Sequence, residues 1–568
     1  METVSRQFQH VRSLHTSSTF LGCYLRSLAL RASPVDTPTW LPFPTSNLSA
    51  TARVDTAAIT NVIANANANT NANVQISTVA GAQAAAAEDP LSGLPILSNL
   101  ASFCCRNMLV TEWLQTFYEI PVVPWQHLIL QTAWLVSLNL HLRTITIERM
   151  SVRTTEELFR LSQALAELKK LHELRLGPIP VSHDDQGVAL LNSFLDSLPS
   201  SMSILSMSQI TTNIQPQDNL DWPRRDGALP DLKELHMDMP AHFPARFLDH
   251  MFRSCPSLEA FYIGRAHVQT SRAITAAITN GINDHCPEFK RFSLGQAFNA
   301  GASNDGFKIL RTLKPKMLTR LDFWQLRGKE SLKQAEEGIL LQAETLEVVC
   351  FGDCLTMTSR TIRRITAMCT ALKTLRVEQR SGVLRKVKMK KVVKERWACH
   401  NLSYLELAIA AKTFENITFY QDSSDYYEPT EFDRELWEHW GKFYKQLGQL
   451  TKLQVLILKR AVSLEEPGSQ EATFPGMLSP GNSDKGRPGY LQYLRRLANL
   501  KELRGPFHLA IPEMAATFGI EEVQCIMSQW PKLATIELLQ ASEGGPTIFD
   551  TYPQLVSLIK WKPLMHLC

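Results

Sequence analysis

One arrangement of apolar and polar positions recurs along the chain. Cys399-His-Asn-Leu402-Ser-Tyr-Leu405-Glu-Leu407 sets a cysteine three residues ahead of a leucine, and two more leucines follow at the third and fifth places after it. The same skeleton returns as Cys369-Thr-Ala-Leu372-Lys-Thr-Leu375-Arg-Val377, Cys255-Pro-Ser-Leu258-Glu-Ala-Phe261-Tyr-Ile263 and Cys286-Pro-Glu-Phe289-Lys-Arg-Phe292-Ser-Leu294. Its last two apolar residues flank a single residue, the period-two mark of a strand with one face buried. Between copies the period changes. Leu158, Leu161, Leu165 and Leu168 stand at helical spacing, as do Leu190, Leu191, Phe194 and Leu198, so helices over 156–168 and 188–198 are predicted.

Counted from the first apolar residue, copies begin at Leu135, Leu171, Met202, Leu232, Leu258, Phe289, Leu318, Leu346, Leu372, Leu402, Leu453, Leu500 and Leu533. From Leu171 to Leu402 they lie 26 to 31 residues apart, the period of a long leucine-rich repeat with one strand and one returning helix. One such unit cannot cover its own apolar face, and stacking covers it. The predicted fold is therefore α/β: a leucine-rich-repeat solenoid, a curved stack with parallel strands on the concave face and helices on the convex face. A solenoid grows in one direction, so a chain of 568 residues needs no single large core.

Breaks in the pattern divide the chain. Residues 134–568 form the repeat domain, with insertions near 378–396, 412–440 and 463–488. The first insertion carries a basic run, Arg385, Lys386, Lys388, Lys390, Lys391, Lys394 and Arg396. The second carries an acidic run from Asp422 to Glu438, and the third is rich in Pro, Gly and Ser, as exposed loops are. The basic run reads as a solvated segment, a nuclear localisation signal or a contact for an acidic partner. Insertions of neighbouring repeats sit close together, so the basic and acidic runs are expected to meet. Residues 91–133 read as a capping segment. Residues 34–90, with alternating Ala and Asn over 64–73, hold too little apolar surface to offset their ordering entropy and are expected to be disordered. Residues 1–33 contain four arginines and one acid, and read either as a first repeat around Leu25, Leu28 and Leu30 or as a mitochondrial targeting segment.

Composition narrows the function. The net charge of +4 is close to balance for this length and speaks against a chain built as a whole to wrap nucleic acid. The longest apolar runs fall short of a membrane span. The eleven cysteines show no paired Cys-x-x-Cys spacing, so neither a zinc site nor a disulfide framework is expected. Cys255, Cys286, Cys369 and Cys399 share a slot that other copies fill with Leu168, Leu229, Leu450, Leu497 or Trp530. A slot tolerating Cys, Leu and Trp is a buried apolar one, and reduced thiols there point to the cytoplasm or nucleus. Phosphate-loop, zinc-protease and nucleophile-elbow motifs are missing from the sequence, so no catalytic residue, cofactor or metal is assigned.

The outward positions of the strands are the candidate binding residues. The residues on either side of the middle apolar position point away from the core. These include Tyr262, Arg291, Arg320, Asp322, Arg376, Tyr404 and Glu406. Tyrosine and arginine on a concave face suit the recognition of a protein.

Trp397-Ala-Cys-His-Asn-Leu-Ser-Tyr-Leu-Glu-Leu407, Phe443-Tyr-Lys-Gln-Leu-Gly-Gln-Leu-Thr-Lys-Leu-Gln-Val-Leu-Ile-Leu458 and Trp530-Pro-Lys-Leu-Ala-Thr-Ile-Glu-Leu538 together resemble the fungal F-box/leucine-rich-repeat-like proteins. The resemblance covers about residues 100 to 540. It implies a substrate receptor of a cullin-based, SCF-type ubiquitin ligase, docked through an F-box to a Skp-type adaptor. No full F-box is seen. The nearest sequence runs from Leu100 through Trp113 to Pro124-Trp125, so 91–133 is either a cap or a degenerate F-box-like remnant. A repeat scaffold without ligase coupling is the alternative.

Overall fold

The computed structural model describes residues 13–17, 102–106, 128–137, 139–148, 154–177, 179–181, 185–207, 210–212, 228–239, 245–266, 272–295, 307–326, 329–352, 354, 357–378, 387–409, 431–460, 477–478, 489–505, 520–537, 556–557 and 566–567. The chain divides into two compact units, residues 1–237 with 254–256, and residues 238–253 with 257–568.

The first unit holds eight strands and three helices among the described residues. They are β1 (Ser13–Ser17), β2 (Ser102–Arg106), α1 (Leu128–Ser137), β3 (Thr144–Glu148), α2 (Thr155–Ala166), β4 (Glu173–Leu176), β5 (Ile179–Val181), α3 (Asp185–Ser197), β6 (Ile204–Met207), β7 (Ile210–Thr212) and β8 (Glu234–Met239). β1, β2, β3, β4, β6 and β8 pair in that order, all parallel. β5 and β7 form a second small parallel pair that the leucine spacing did not announce. The helices predicted over 156–168 and 188–198 are α2 and α3. α2 opens with a capping box: Glu157 N donates to Thr154 Oγ1 at 3.1 Å, and Thr154 N donates to Glu157 Oε2 at 3.2 Å.

One expectation for this unit is corrected. The copy placed at Leu135 lies in α1, and Leu140 is 49% exposed. The strand of that repeat is β3, and its skeleton is Leu142, Ile145 and Ile147, all buried. Isoleucines occupy the leucine places here, and β-branched residues suit a strand at least as well. Counting from 142 to 171 restores a step of 29 residues, inside the regular period. Within the F-box-like stretch, Ser102–Arg106 is a strand paired with β1 and β3. The Leu25 skeleton, residues 34–90, the rest of that stretch over 107–127, residues 379–386 and 410–430 of the first two insertions, and the insertion near 463–488 apart from 477–478 lie outside the described residues.

The second unit runs α4 (Ala245–Ser254), β9 (Ala260–Ala266), α5 (Arg272–His285), β10 (Arg291–Leu294), α6 (Lys308–Thr312), β11 (Arg320–Trp324), α7 (Lys329–Leu341), β12 (Val348–Gly352), α8 (Ser359–Met368), β13 (Thr374–Glu378), α9 (Met389–Val392), β14 (Tyr404–Ile409), α10 (Glu431–Leu447), β15 (Val455–Arg460), α11 (Leu491–Leu494), β16 (Glu502–Arg504), α12 (Ile520–Gln529), β17 (Thr535–Glu537) and β18 (His566–Leu567). β9 through β18 pair in sequence order, every pair parallel. An all-parallel sheet in which β9 to β17 each follow a helix is the signature of stacked repeats. The skeleton residues form its core: Leu318, Leu321, Leu372, Leu375, Leu402, Leu405, Leu453 and Leu456 are all 0% exposed. Each such leucine contributes roughly 1.5–3 kcal/mol of burial.

The cysteine slot is buried as its occupants implied. Cys286, Cys369 and Cys399 are 0% exposed, as are Leu450, Leu497 and Trp530 in the same slot. Burial pushes the Cys286, Cys369 and Cys399 thiols up to about 12. Side-chain amides satisfy backbone groups that the turns leave open. Gln342 Oε1 accepts from Met317 N at 2.8 Å and Leu318 N at 3.1 Å, while its Nε2 donates to Lys314 O at 2.9 Å. Gln446 does the same for another turn, accepting from Trp397 N at 2.7 Å and donating to Glu395 O at 2.9 Å.

Candidate functional site

On β10 to β16 the skeleton residues turn one way and the residues between them, most of them polar, turn the other. On β11, Leu321 and Phe323 are buried while Arg320 and Trp324 are exposed. Strand register then sets the outward side chains in rows. One row runs Tyr262, Ser293, Asp322, Cys350, Arg376, Glu406, Ile457 and Arg504. The row beside it contains Arg291, Arg320 and Tyr404.

The second unit thus brings five of the seven candidate residues into two ion-paired groups. Arg320 grips Asp322 of its own strand, Nε to Oδ2 at 2.7 Å and Nη2 to Oδ1 at 3.2 Å. These hydrogen bonds hold the Arg320 guanidinium above its ordinary pKa. The second group centres on Glu406. Its Oε2 accepts from Arg376 Nε at 3.0 Å and from Tyr404 Oη at 3.0 Å, and its Oε1 accepts from Lys459. Arg376 also pairs with Glu378 at 3.2 Å. Burial, and then the Glu406 charge, push the Tyr404 hydroxyl up to about 12. Cys350 lies between the groups in the row, its thiol raised to about 12 by burial and then by Asp322. Tyr262 on β9 and Arg291 on β10 stand apart from the Glu406 group, and Arg291 has Glu259 at 3.9 Å.

The layering matters more than the pairing. Asp322 and Glu406 are 6% and 1% exposed. Above them the side chains of Arg320, Arg376 and Lys459 are 45%, 44% and 38% exposed. The carboxylates are sunk against the strands and the cations stand over them, held by bonds from beneath. Fixing a guanidinium this way removes rotamer freedom that a ligand would otherwise have to freeze.

Three residues of this face escaped the sequence reading. Strands β11, β13 and β15 are long enough to carry a third outward position, occupied by Trp324, Glu378 and Lys459. Extending the period-two count by one more outward place finds all three. The Trp324 indole lies over Gly352, where a Cβ would come within 2.4 Å of its Cε3. Gln325, at φ 55°, turns the chain away there and donates its N–H to Gly352 O at 2.7 Å.

The strands of the first unit also carry charged pairs. Arg175 Nε meets Glu173 Oε1 at 2.5 Å, and His236 lies 3.6 Å from Glu234. Burial, and then the Arg175 charge, lower the His236 pKa. Among the described residues, no helix is long and apolar enough to cross a membrane.

No protein-family model matches the chain, and no curated protein does. Among solved structures, the crystal structure of the yeast Rad7 and Elc1 complex matches with a TM-score of 0.33 and 12% identity, over 70% of this chain and 87% of that one. So loose a superposition carries no argument, and the repeat architecture rests on this chain's own strand pairing.

Proposed function

We propose that the chain is a non-catalytic repeat protein that holds a protein ligand against the outward face of β10 to β16. The observation carrying this reading is the layered group around Glu406. Arginine, tyrosine and lysine are the side chains that anchor interfaces or steer them, and here they are oriented before any ligand arrives. Arg376 and Arg320 are the intended anchors, Tyr404 and Trp324 supply apolar contact, and Glu406 and Asp322 position the cations. The reading requires no cofactor or metal.

The resemblance noted in the sequence extends this to a substrate receptor of an SCF-type ubiquitin ligase, coupled to a Skp-type adaptor and working in the cytoplasm or nucleus. A second reading, a repeat scaffold without ligase coupling, is favoured by β2. Ser102–Arg106 is a rung between β1 and β3, inside the stretch nearest to an F-box.

Affinity capture separates these readings. Proteins retained by the tagged full chain but lost by Arg320→Glu/Arg376→Glu support the strand-face site; an unchanged set argues against it. Binding of a purified Skp-type adaptor supports ligase coupling, and its failure leaves the scaffold.

A further inference from the structure

The basic run of the first insertion plays no part in the strand face, and its described portion is folded. Val387, Met389, Val392 and Trp397 point inward and are 1%, 3%, 0% and 0% exposed. Lys388, Lys391, Lys394 and Arg396 point outward and are exposed. A linear localisation signal read in extended form would have to pull that apolar side out of the core and expose it to water. The run is a platform rather than a loose tag.

The fold places a second basic element beside it. Lys388 N donates to Ser359 Oγ at 2.7 Å, and Ala398 N donates to Thr366 O at 2.8 Å, which fastens the platform to α8. α8 contributes Arg360, Arg363 and Arg364. Three carboxylates beside it are already engaged. Glu336, its side chain 7% exposed, takes Arg364 at 2.5 Å and Arg360 at 3.5 Å. Glu395 takes Arg363 at 3.0 Å, and Glu435 from α10 takes Lys390, so the basic and acidic runs do meet. Among the described residues no ion pair reaches Lys388, Lys391, Lys394 or Arg396. Among the described residues, four cations without an ion-pair partner therefore stand on the exposed side of the platform, in a chain whose whole net charge is +4.

We infer that the surface formed by α8 and the 387–397 platform docks an acidic polypeptide segment of a partner protein, at a site separate from the strand face. The ligands this surface already holds are protein carboxylates, Glu395 and Glu435. Its free cations are mostly lysines, point charges that read charge density rather than a planar, two-pronged geometry. No aromatic side chain is exposed over 357–368 or 387–397 on which a nucleobase could stack. The partner segment is thus rich in Asp or Glu and needs no fixed sequence.

The test uses the full chain and a fluorescein-labelled oligoglutamate peptide, with a single-stranded oligothymidylate and phosphatidylserine vesicles of matched charge as competing probes. Peptide binding that falls with salt, and that weakens about tenfold or more in Lys388→Glu/Lys391→Glu/Lys394→Glu/Arg396→Glu, supports the inference. The corresponding Gln set, with an unchanged unfolding midpoint, weakens it less and separates lost attraction from misfolding. Arg320→Glu/Arg376→Glu leaves peptide binding intact, so failure of the strand-face reading would not affect this result. Undiminished binding by the charge-reversed chain, or tighter binding of the oligothymidylate or the vesicles than of the peptide, overturns it.

Discussion

Replacing Glu406 with glutamine keeps the shape of the side chain and removes its charge. The carboxylate receives three donors, Arg376 Nε and Tyr404 Oη on Oε2 and Lys459 Nζ on Oε1. An amide has one accepting oxygen and one NH2 group that only donates. Either orientation leaves a donor facing a donor. A hydrogen bond to a charged group is worth about 1.5–3 kcal/mol net. Two terms reduce that. The side chains of Arg376 and Lys459 are 44% and 38% exposed, so water takes over part of the lost contact. Removing the charge also relieves the cost of burying a carboxylate that is 2% exposed. The expected loss is therefore about 1–2 kcal/mol. Urea unfolding of the two full-length chains measures it, as a lower midpoint at unchanged slope. The ligand retained through the strand face should weaken as well, because Arg376 is no longer held. A Glu406→Gln chain that is as stable as its parent, or more so, would show that the carboxylate does not organise these cations.

Gly281→Ala should destabilise by about 1–3 kcal/mol, because the added Cβ would meet Phe252 Cδ2 at 2.5 Å and Cβ at 2.9 Å in a filled core; a thermal midpoint equal to the parent's would contradict that packing. Native-state alkylation followed by peptide mass mapping should leave Cys255, Cys286, Cys369 and Cys399 unmodified while the half-buried Cys525 reacts, and fast labelling of the buried four would disprove the apolar slot. Alkaline stability follows from the same burial. The folded thiols of Cys286, Cys369 and Cys399 titrate at about 12 against an ordinary value of 9.0, so their contribution is complete below about 9 and is lost as pH climbs from there towards 12. Each thiol removes up to about 1.4 kcal/mol per pH unit in that window. Cys399→Ala should flatten the decline, and an unaltered slope would rule its thiol out as a contributor.

Much of this architecture was legible in the linear order of residues, because period-two and helical spacing report burial directly. The leucine skeleton located β4, β6 and β8 to β17, and the interchange of Cys, Leu and Trp in one slot marked that slot as apolar. Reading leucine alone misplaced the copy at Leu135, because the true strand uses Ile145 and Ile147. The pairing of β5 with β7 joins segments 31 residues apart that carry no repeat signal of their own.

The outward face was legible as a set of positions and not as a set of interactions. Period two says that Arg376 and Glu406 point to the same side, but they lie 30 residues apart in sequence and meet only when β13 and β14 align. Lys459 joins them from 53 residues beyond Glu406, across an insertion whose length the repeat rule does not set. Depth is likewise decided late. Nothing in the order of residues says that Asp322 and Glu406 sink while Arg320 and Arg376 stand above them, because that follows from side-chain length against neighbouring strands. Local spacing is a property of one segment and survives in the sequence; which charges meet, and which of them water reaches, depends on segments brought together only by folding.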